Sequence, residues 1–299
     1  MLECVPNVSE GRDSGVIRAL GESVAAAGAR LVDVHTDADH HRSVFTFLGE
    51  PDIVRRAALA LGRSAIRSID MRRHHGVHPR LGALDVMPFV PLRGSSMRDA
   101  VAAAHAVGRE LAETERIPVF FYGEAALDPA RRELPRLRAG ELESLPQRLR
   151  DPAWRPDAGP AAPHATAGAA VIGARGVLIA FNAVLDGADI AVARQIARAI
   201  RESSGGLPAV RAIGVALASR SQSQVAMNLI DYRRTPLRVV AERLEREAAA
   251  VGARVLEYEL VGCAPADAFE GFSRPIAGVL EPRLLDPGLF DWESRNAPR

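Results

Sequence analysis

One order of elements recurs in this chain and constrains its fold more than any other feature. From Val177 the pattern runs strand (VLIAFNAVL), helix (Ala188 to Glu202), two strands (RAIGVALAS and SQVAMNLIDY), helix (Pro236 to Ala250) and strand (RVLEYELVG). That β-α-β-β-α-β order is the ferredoxin-like signature, an antiparallel four-stranded sheet with two helices on one face. Residues Glu3 to Pro91 run through the same order. There, SEGRD offers capping residues ahead of a helix from Ser14, Gly28 ends that helix, and the polar turn Asp37 to His41 joins RLVDVHTD to RSVFTFLGE as a hairpin. A helix over about 52–70 follows, with Ile53, Ala57, Ala60, Leu61, Ser64 and Ala65 on its apolar face. One more helix, Ser96 to Glu115, and the strand IPVFFYG complete this half. The reading is α+β: two ferredoxin-like α/β subdomains with mixed or antiparallel sheets and a ligand groove between them. Residues 1–176 form the first and 177–270 the second, with 271–299 an irregular tail rich in proline and glycine.

Composition excludes several classes of chemistry. All 38 basic residues are arginine, so a phosphate-loop lysine, a Schiff-base lysine and a lysine general base are ruled out. A net charge of +1 argues against nucleic-acid binding, which needs a broad positive field. Cys4 and Cys263 have the spacing of neither a metal knuckle nor a redox pair, which fits a reducing cytoplasm. No leader opens the chain and no apolar run reaches the roughly 18 residues a membrane span needs, so a soluble cytoplasmic protein without a membrane partner is expected.

The stretch HHGVHPRLGALDVMPFVP, His74 to Pro91, concentrates the candidate chemistry. Gly76, Pro79, Gly82, Pro88 and Pro91 forbid a long helix, and Pro79 pushes His78 towards extended backbone, so its imidazole is presented from a rigid turn. His78 is then either a histidine that merely steadies the turn or a proton carrier, since imidazole alone both takes and returns a proton near neutral pH. Six of the eight histidines lie between positions 35 and 78, which raises a metal site. No HExxH or paired-cysteine spacing accompanies them, so no metal is expected and His40, His41, His74 and His75 read as solvated turn residues. From Asp128 to Gly176 prolines and glycines recur every few residues, with short helical pieces such as RAGELESLPQRL. A stretch that long without structure is a linker or a ligand-contacting loop, and the second is favoured.

The segments CVPNVSEGRD, HRSVFTFLG, HHGVHPRLGALDVMPFVP, FFYGEAA, GARGVLIAFN and NLIDY, in order over about residues 2–265, resemble the formiminotransferase family. The resemblance implies transfer of a formimino group from N-formimino-L-glutamate to N5 of tetrahydrofolate, the co-substrate, in histidine degradation. It further implies folate held between two subdomains, a homodimer, and His78 of the HPR motif as the catalytic histidine. The cyclodeaminase domain of the animal members has no counterpart in it. The family's folate-contacting loop maps onto Gly159, Pro160, Ala161, Ala162, Pro163, His164, Ala165, Thr166, Ala167 and Gly168, with alanines where animal members carry serines and a tryptophan. In such a reaction Asp33 and Asp85 are candidates for orienting the imidazole or steadying a cationic amidine. Arg42 and Arg80 are candidates for gripping substrate carboxylates. Formyl transfer from N-formyl-glutamate, a folate-binding protein with an inert His78, and a metal-dependent hydrolase remain as rivals.

Overall fold

The computed structural model describes residues 1–278 and 280–290, which fall into two units, Met1–Gly176 and Val177–Phe290. The first unit runs β1 (Leu2–Cys4), β2 (Asn7–Val8), α1 (Ser14–Ala26), β3 (Arg30–Asp37), β4 (Arg42–Gly49), α2 (Pro51–Ser68), β5 (Leu84–Pro91), α3 (Met97–Thr114), β6 (Val119–Gly123), α4 (Leu134–Arg138), α5 (Glu141–Arg148) and β7 (Ala170–Ala174). β1 and β2 are one strand interrupted at Val5 and Pro6, since both pair antiparallel with β4 on one side and β5 on the other. Across the sheet the order is β3, β4, β1 with β2, β5, β7, β6; the last two junctions are parallel and the rest antiparallel.

Local signals explain the helix starts. The Asp13 side chain accepts from the amides of Gly15 and Val16 at 2.8 and 3.1 Å, Pro51 occupies the first turn of α2, and Ser96 with Asp99 forms a reciprocal capping box on α3. The apolar face of α2 is wider than its sequence pattern suggests. Val54, Ala58 and Ile66 are buried along with Ala57, Leu61 and Ala65, while Ala60 and Ser64 are only half-buried. The helix lies against both α1 and α3 as well as the sheet, so it needs a broad stripe rather than a single seam.

Residues 128–176 are not a linker. β7, AVIGA, is a buried strand inserted between β5 and β6. Ala170, Ile172 and Ala174 enter the main core, while Val171, with Val86, Phe120 and Tyr122, meets Leu137, Leu145 and Leu149 from α4 and α5 on the opposite face. A parallel strand covered on both faces carries an unbroken apolar run instead of an alternating one, which is why its signal is weak in a proline-rich setting.

The second unit runs β8 (Ile179–Leu185), α6 (Ile190–Ile200), β9 (Val210–Leu217), β10 (Gln222–Leu229), α7 (Leu237–Ala250) and β11 (Val255–Val261). Its antiparallel sheet has the order β11, β8, β10, β9. Tyr258 stacks on Phe181 with ring centroids 5.2 Å apart, and Phe272 meets both edge-on at 5.4 Å. Ala277 N donates to the Tyr258 carbonyl at 2.7 Å and Arg283 to the Leu260 carbonyl at 2.6 Å. Residues 271–278 and 280–290 are therefore packed onto this unit rather than forming a separate tail; residues 291–299 of the expected tail lie outside the described residues. Among the described residues, no helix is long and apolar enough to cross a membrane.

Candidate active site

Two segments build the site: the turn joining β3 to β4, residues 37–41, and the irregular run 74–80 that leads towards β5. Gly76 lets them touch, because a Cβ there would sit 2.4 Å from the His40 carbonyl oxygen and 2.7 Å from the His41 Cβ. His41 takes the left-handed conformation at φ 50°, and its ring stacks on His74 with centroids 4.3 Å apart and planes 7° from parallel. His41 Nε2 lies 3.2 Å from Glu10 Oε1, an oxygen that also accepts from the amides of Arg12 and Asp13. Burial pushes the Glu10 carboxyl up, and those amides together with His41 outweigh it and hold the pKa low. His74 Nε2 faces the His41 carbonyl at 2.8 Å, which assigns the proton to that nitrogen. His40 and His74 are buried and only His75 is exposed, so solvated turn histidines are the wrong description for the first two. Each has found a partner within the corner: His40 Nδ1 lies 2.8 Å from Asp37 Oδ2, and although burial raises the Asp37 carboxyl, bonding to His40 brings it down to about 2.

His78 sits at the inner end of this corner, half-buried. Its Nε2 meets Nη1 of Arg42, and the His40 ring lies 6.1 Å away. Burial, then the positive charges of Arg42 and Arg138, hold its pKa well below the ordinary imidazole value. The imidazole is neutral at physiological pH. It is thus a base awaiting a proton rather than an acid holding one.

The remaining expected residues divide by place. Asp33 stands on β3 opposite Thr46, half-buried. Arg80 is held by Glu141 Oε2 at 2.6 Å and by both oxygens of Glu143 at 2.7 and 3.0 Å, so its fork is engaged within the chain. Asp85 is only 1% exposed; one oxygen accepts the Leu81 amide at 2.8 Å and the other meets Arg138 Nη2. Both Asp85 oxygens are therefore engaged, one by the Leu81 amide and one by Arg138. Among the described residues no group of three or more His, Cys, Asp and Glu side chains is placed to hold a metal ion.

Acid sensitivity follows from these shifts. His78 and His74 are both held below the usual value, whereas in the unfolded chain they take up protons as pH falls through about 6.5. Below that pH the unfolded state binds more protons, so stability is lost on acidification. Asp37 adds a further loss between its ordinary 3.8 and about 2. Urea midpoints at pH 7 and pH 5 test the histidine part: the pH 5 value should be lower, and lower by less in His74→Gln. Equal midpoints at the two pH values would contradict it.

Comparison with known proteins adds a decisive observation. A model of the formiminotransferase domain, N-terminal subdomain, matches residues 1–175, and a model of the formiminotransferase domain matches residues 180–273. The chain belongs to the formiminotransferase family. It is 39% identical over 269 residues to glutamate formimidoyltransferase of Streptococcus pyogenes serotype M1, covering 90% of each chain. It is also 44% identical over 303 residues to formimidoyltransferase-cyclodeaminase of Sus scrofa, covering 99% of this chain and 53% of that one. The corresponding protein of Rattus norvegicus is 43% identical over 272 residues, with 50% of its length matched. The chain spans about half the length of these mammalian relatives.

The loop Gly159 to Gly168 starts against the end of α3, where Gly159 packs on Ile117 and Ala112, and only its last residues, Thr166 to Gly168, are anchored to the segments that flank the histidine run. Thr166 O accepts the Met71 amide at 2.8 Å, Ala167 O accepts the Ala83 amide at 2.9 Å, and Gly168 bridges Gly82. His164 Nδ1 accepts the amide of Ala167 at 3.0 Å and so closes the turn. Gly168 has φ 70°, and a Cβ there would lie 2.4 Å from the Leu81 carbonyl oxygen, so any side chain breaks the loop's anchorage. Gly159, Ala161, Ala162 and Ala165 are the exposed positions. Sequence reasoning missed Arg138 altogether. It is one of two arginines on a short helix, in a stretch dense with arginines, and nothing in the sequence sets it apart from Arg136.

Proposed function

We propose that the chain transfers the formimino group of N-formimino-L-glutamate to N5 of tetrahydrofolate, giving 5-formiminotetrahydrofolate and L-glutamate. The observation that carries this reading is the neutral imidazole of His78, in contact with Arg42 and lying within the residues matched by the formiminotransferase N-terminal subdomain. N5 attacks the amidine carbon, the N5–C bond forms, and the bond from that carbon to the glutamate nitrogen breaks. His78 Nε2 takes the N5 proton and delivers it to the departing nitrogen, so no net proton is gained or lost, and positioned proton transfer of this kind contributes roughly a hundred- to ten-thousand-fold. Arg42 is the guanidinium for a donor carboxylate, while Asp33 steadies the amidine cation. Arg80 and Asp85 act at one remove: Arg80 fixes the corner through Glu141 and Glu143, and Asp85 fixes Arg138.

Tetrahydrofolate is the co-substrate and the loop Gly159 to Gly168 its contact. Tryptophan at Ala162 is expected to raise the KM for tetrahydrofolate several-fold and leave that for the donor near its native value. Equal effects on both would remove the loop from the folate site. The strand orders in both units support the ferredoxin-like description, and a cytoplasmic homodimer acting without a metal belongs to the same reading. Turnover of N-formimino-L-glutamate and of N-formyl-L-glutamate with tetrahydrofolate, each with and without a chelator, tests the reaction. Preference for the formyl donor would transfer the reading to formyl transfer. Turnover of neither donor, with folate bound, would leave a binding protein, and loss on chelation would restore a metal mechanism.

A further inference from the structure

A neutral imidazole has one acceptor nitrogen, and in His78 that nitrogen is taken. Arg42 points Nη1 at Nε2. A guanidinium stays protonated at any pH the enzyme meets, so the contact is one in which Arg42 donates. So capped, Nε2 cannot receive the proton of a reduced pterin.

We propose that Arg42 is a carboxylate-released cap on the base: in the unliganded chain its guanidinium occupies Nε2 of His78, and a carboxylate of the anionic donor draws it off and exposes that nitrogen. This rests on the formimino-transfer reading above for the identity of the donor. The exchange is chemically favourable, because an imidazole offers a guanidinium one lone pair, whereas a carboxylate offers two parallel charge-assisted bonds. Arg138 cannot play the same part. Its Nη2 is tied to Asp85, which is 1% exposed and itself anchored by the Leu81 amide at 2.8 Å.

Withdrawal of Arg42 has a second consequence. The charges that act on His78 are Arg42 of β4, in contact with it, Arg138 of α4, and His40 of the β3–β4 turn, whose ring lies 6.1 Å away and is held against Asp37 at 2.8 Å. Arg42 is the cation in direct contact. Its departure frees the lone pair and raises the proton affinity of the ring in the same movement, when the ring must begin to hold a proton. Donor binding thereby prepares the base, and folate bound without a donor meets a blocked one.

Nuclear magnetic resonance of the full chain labelled with 15N-histidine tests this, with the His78 ring resonances assigned by their loss in His78→Gln. In the native chain His78 should titrate well below about 6.5, and saturating L-glutamate should raise its pKa by about one pH unit or more. Arg42→Gln should raise it without glutamate and abolish the response to glutamate. His78 titrating alike in the native chain and Arg42→Gln overturns the proposal. So does a native chain on which L-glutamate has no effect, whether it fails to bind or binds elsewhere, and that measurement needs no variant to fold. Failure of the formimino-transfer reading is seen separately, as absence of turnover while His78 still responds to carboxylate and to Arg42.

Discussion

His78→Ala is expected to lower kcat by roughly a hundred- to ten-thousand-fold, with the urea midpoint and tetrahydrofolate affinity close to native. The size follows from the role: in the proposed reaction N5 and the glutamate nitrogen exchange a proton, and His78 is an imidazole in contact with Arg42 whose burial and neighbouring positive charges keep it neutral. The fold should survive because His78 is half-buried and lies outside every helix and strand. His75→Ala is the clean control, since His75 is exposed. His74→Ala is not, because His74 is buried, stacked on His41 and bonded to its carbonyl. Loss there should appear first as a lower midpoint. The acidic limb of kcat/KM for free enzyme should fall below the ordinary imidazole range in the native chain, since Arg42, Arg138 and burial hold His78 deprotonated. Near-native turnover in His78→Ala, with activity abolished in His75→Ala, would move the proton carrier elsewhere.

Legibility in the sequence followed the kind of signal each feature leaves. The hairpin around Asp37 to His41 and the capped helices were readable because turn chemistry and caps are local. β7 was not, since a strand covered on both faces has no alternation and sits among glycines and prolines. Within the site, Pro79 and the HPR motif mark His78, yet nothing in a sequence tells that Glu10, His41 and His74 close into one stack, because those contacts join positions more than thirty residues apart. Arg80 shows the same limit from the other side. Its motif position suggests a substrate clamp, whereas the carboxylates that occupy it come from α5, through Glu141 and Glu143.

Asp85→Ala carries the largest expected effect on stability. The carboxylate is 1% exposed, accepts the Leu81 amide at 2.8 Å and meets Arg138, whose side chain is 15% exposed. Removing it leaves a buried amide and a largely buried guanidinium without this partner, and breaking a buried pair from one side costs about 3–5 kcal/mol. Set against a typical total of about 5–15 kcal/mol, that is enough to unfold a sizeable fraction of the first unit under mild denaturant. Asp85→Asn should cost less, because its carbonyl oxygen can still accept from Leu81 while the charge is lost. Urea midpoints of the two variants give the order, alanine lowest, asparagine between it and native. Native-like unfolding of Asp85→Ala would mean that Arg138 is solvated or re-paired once the carboxylate is gone.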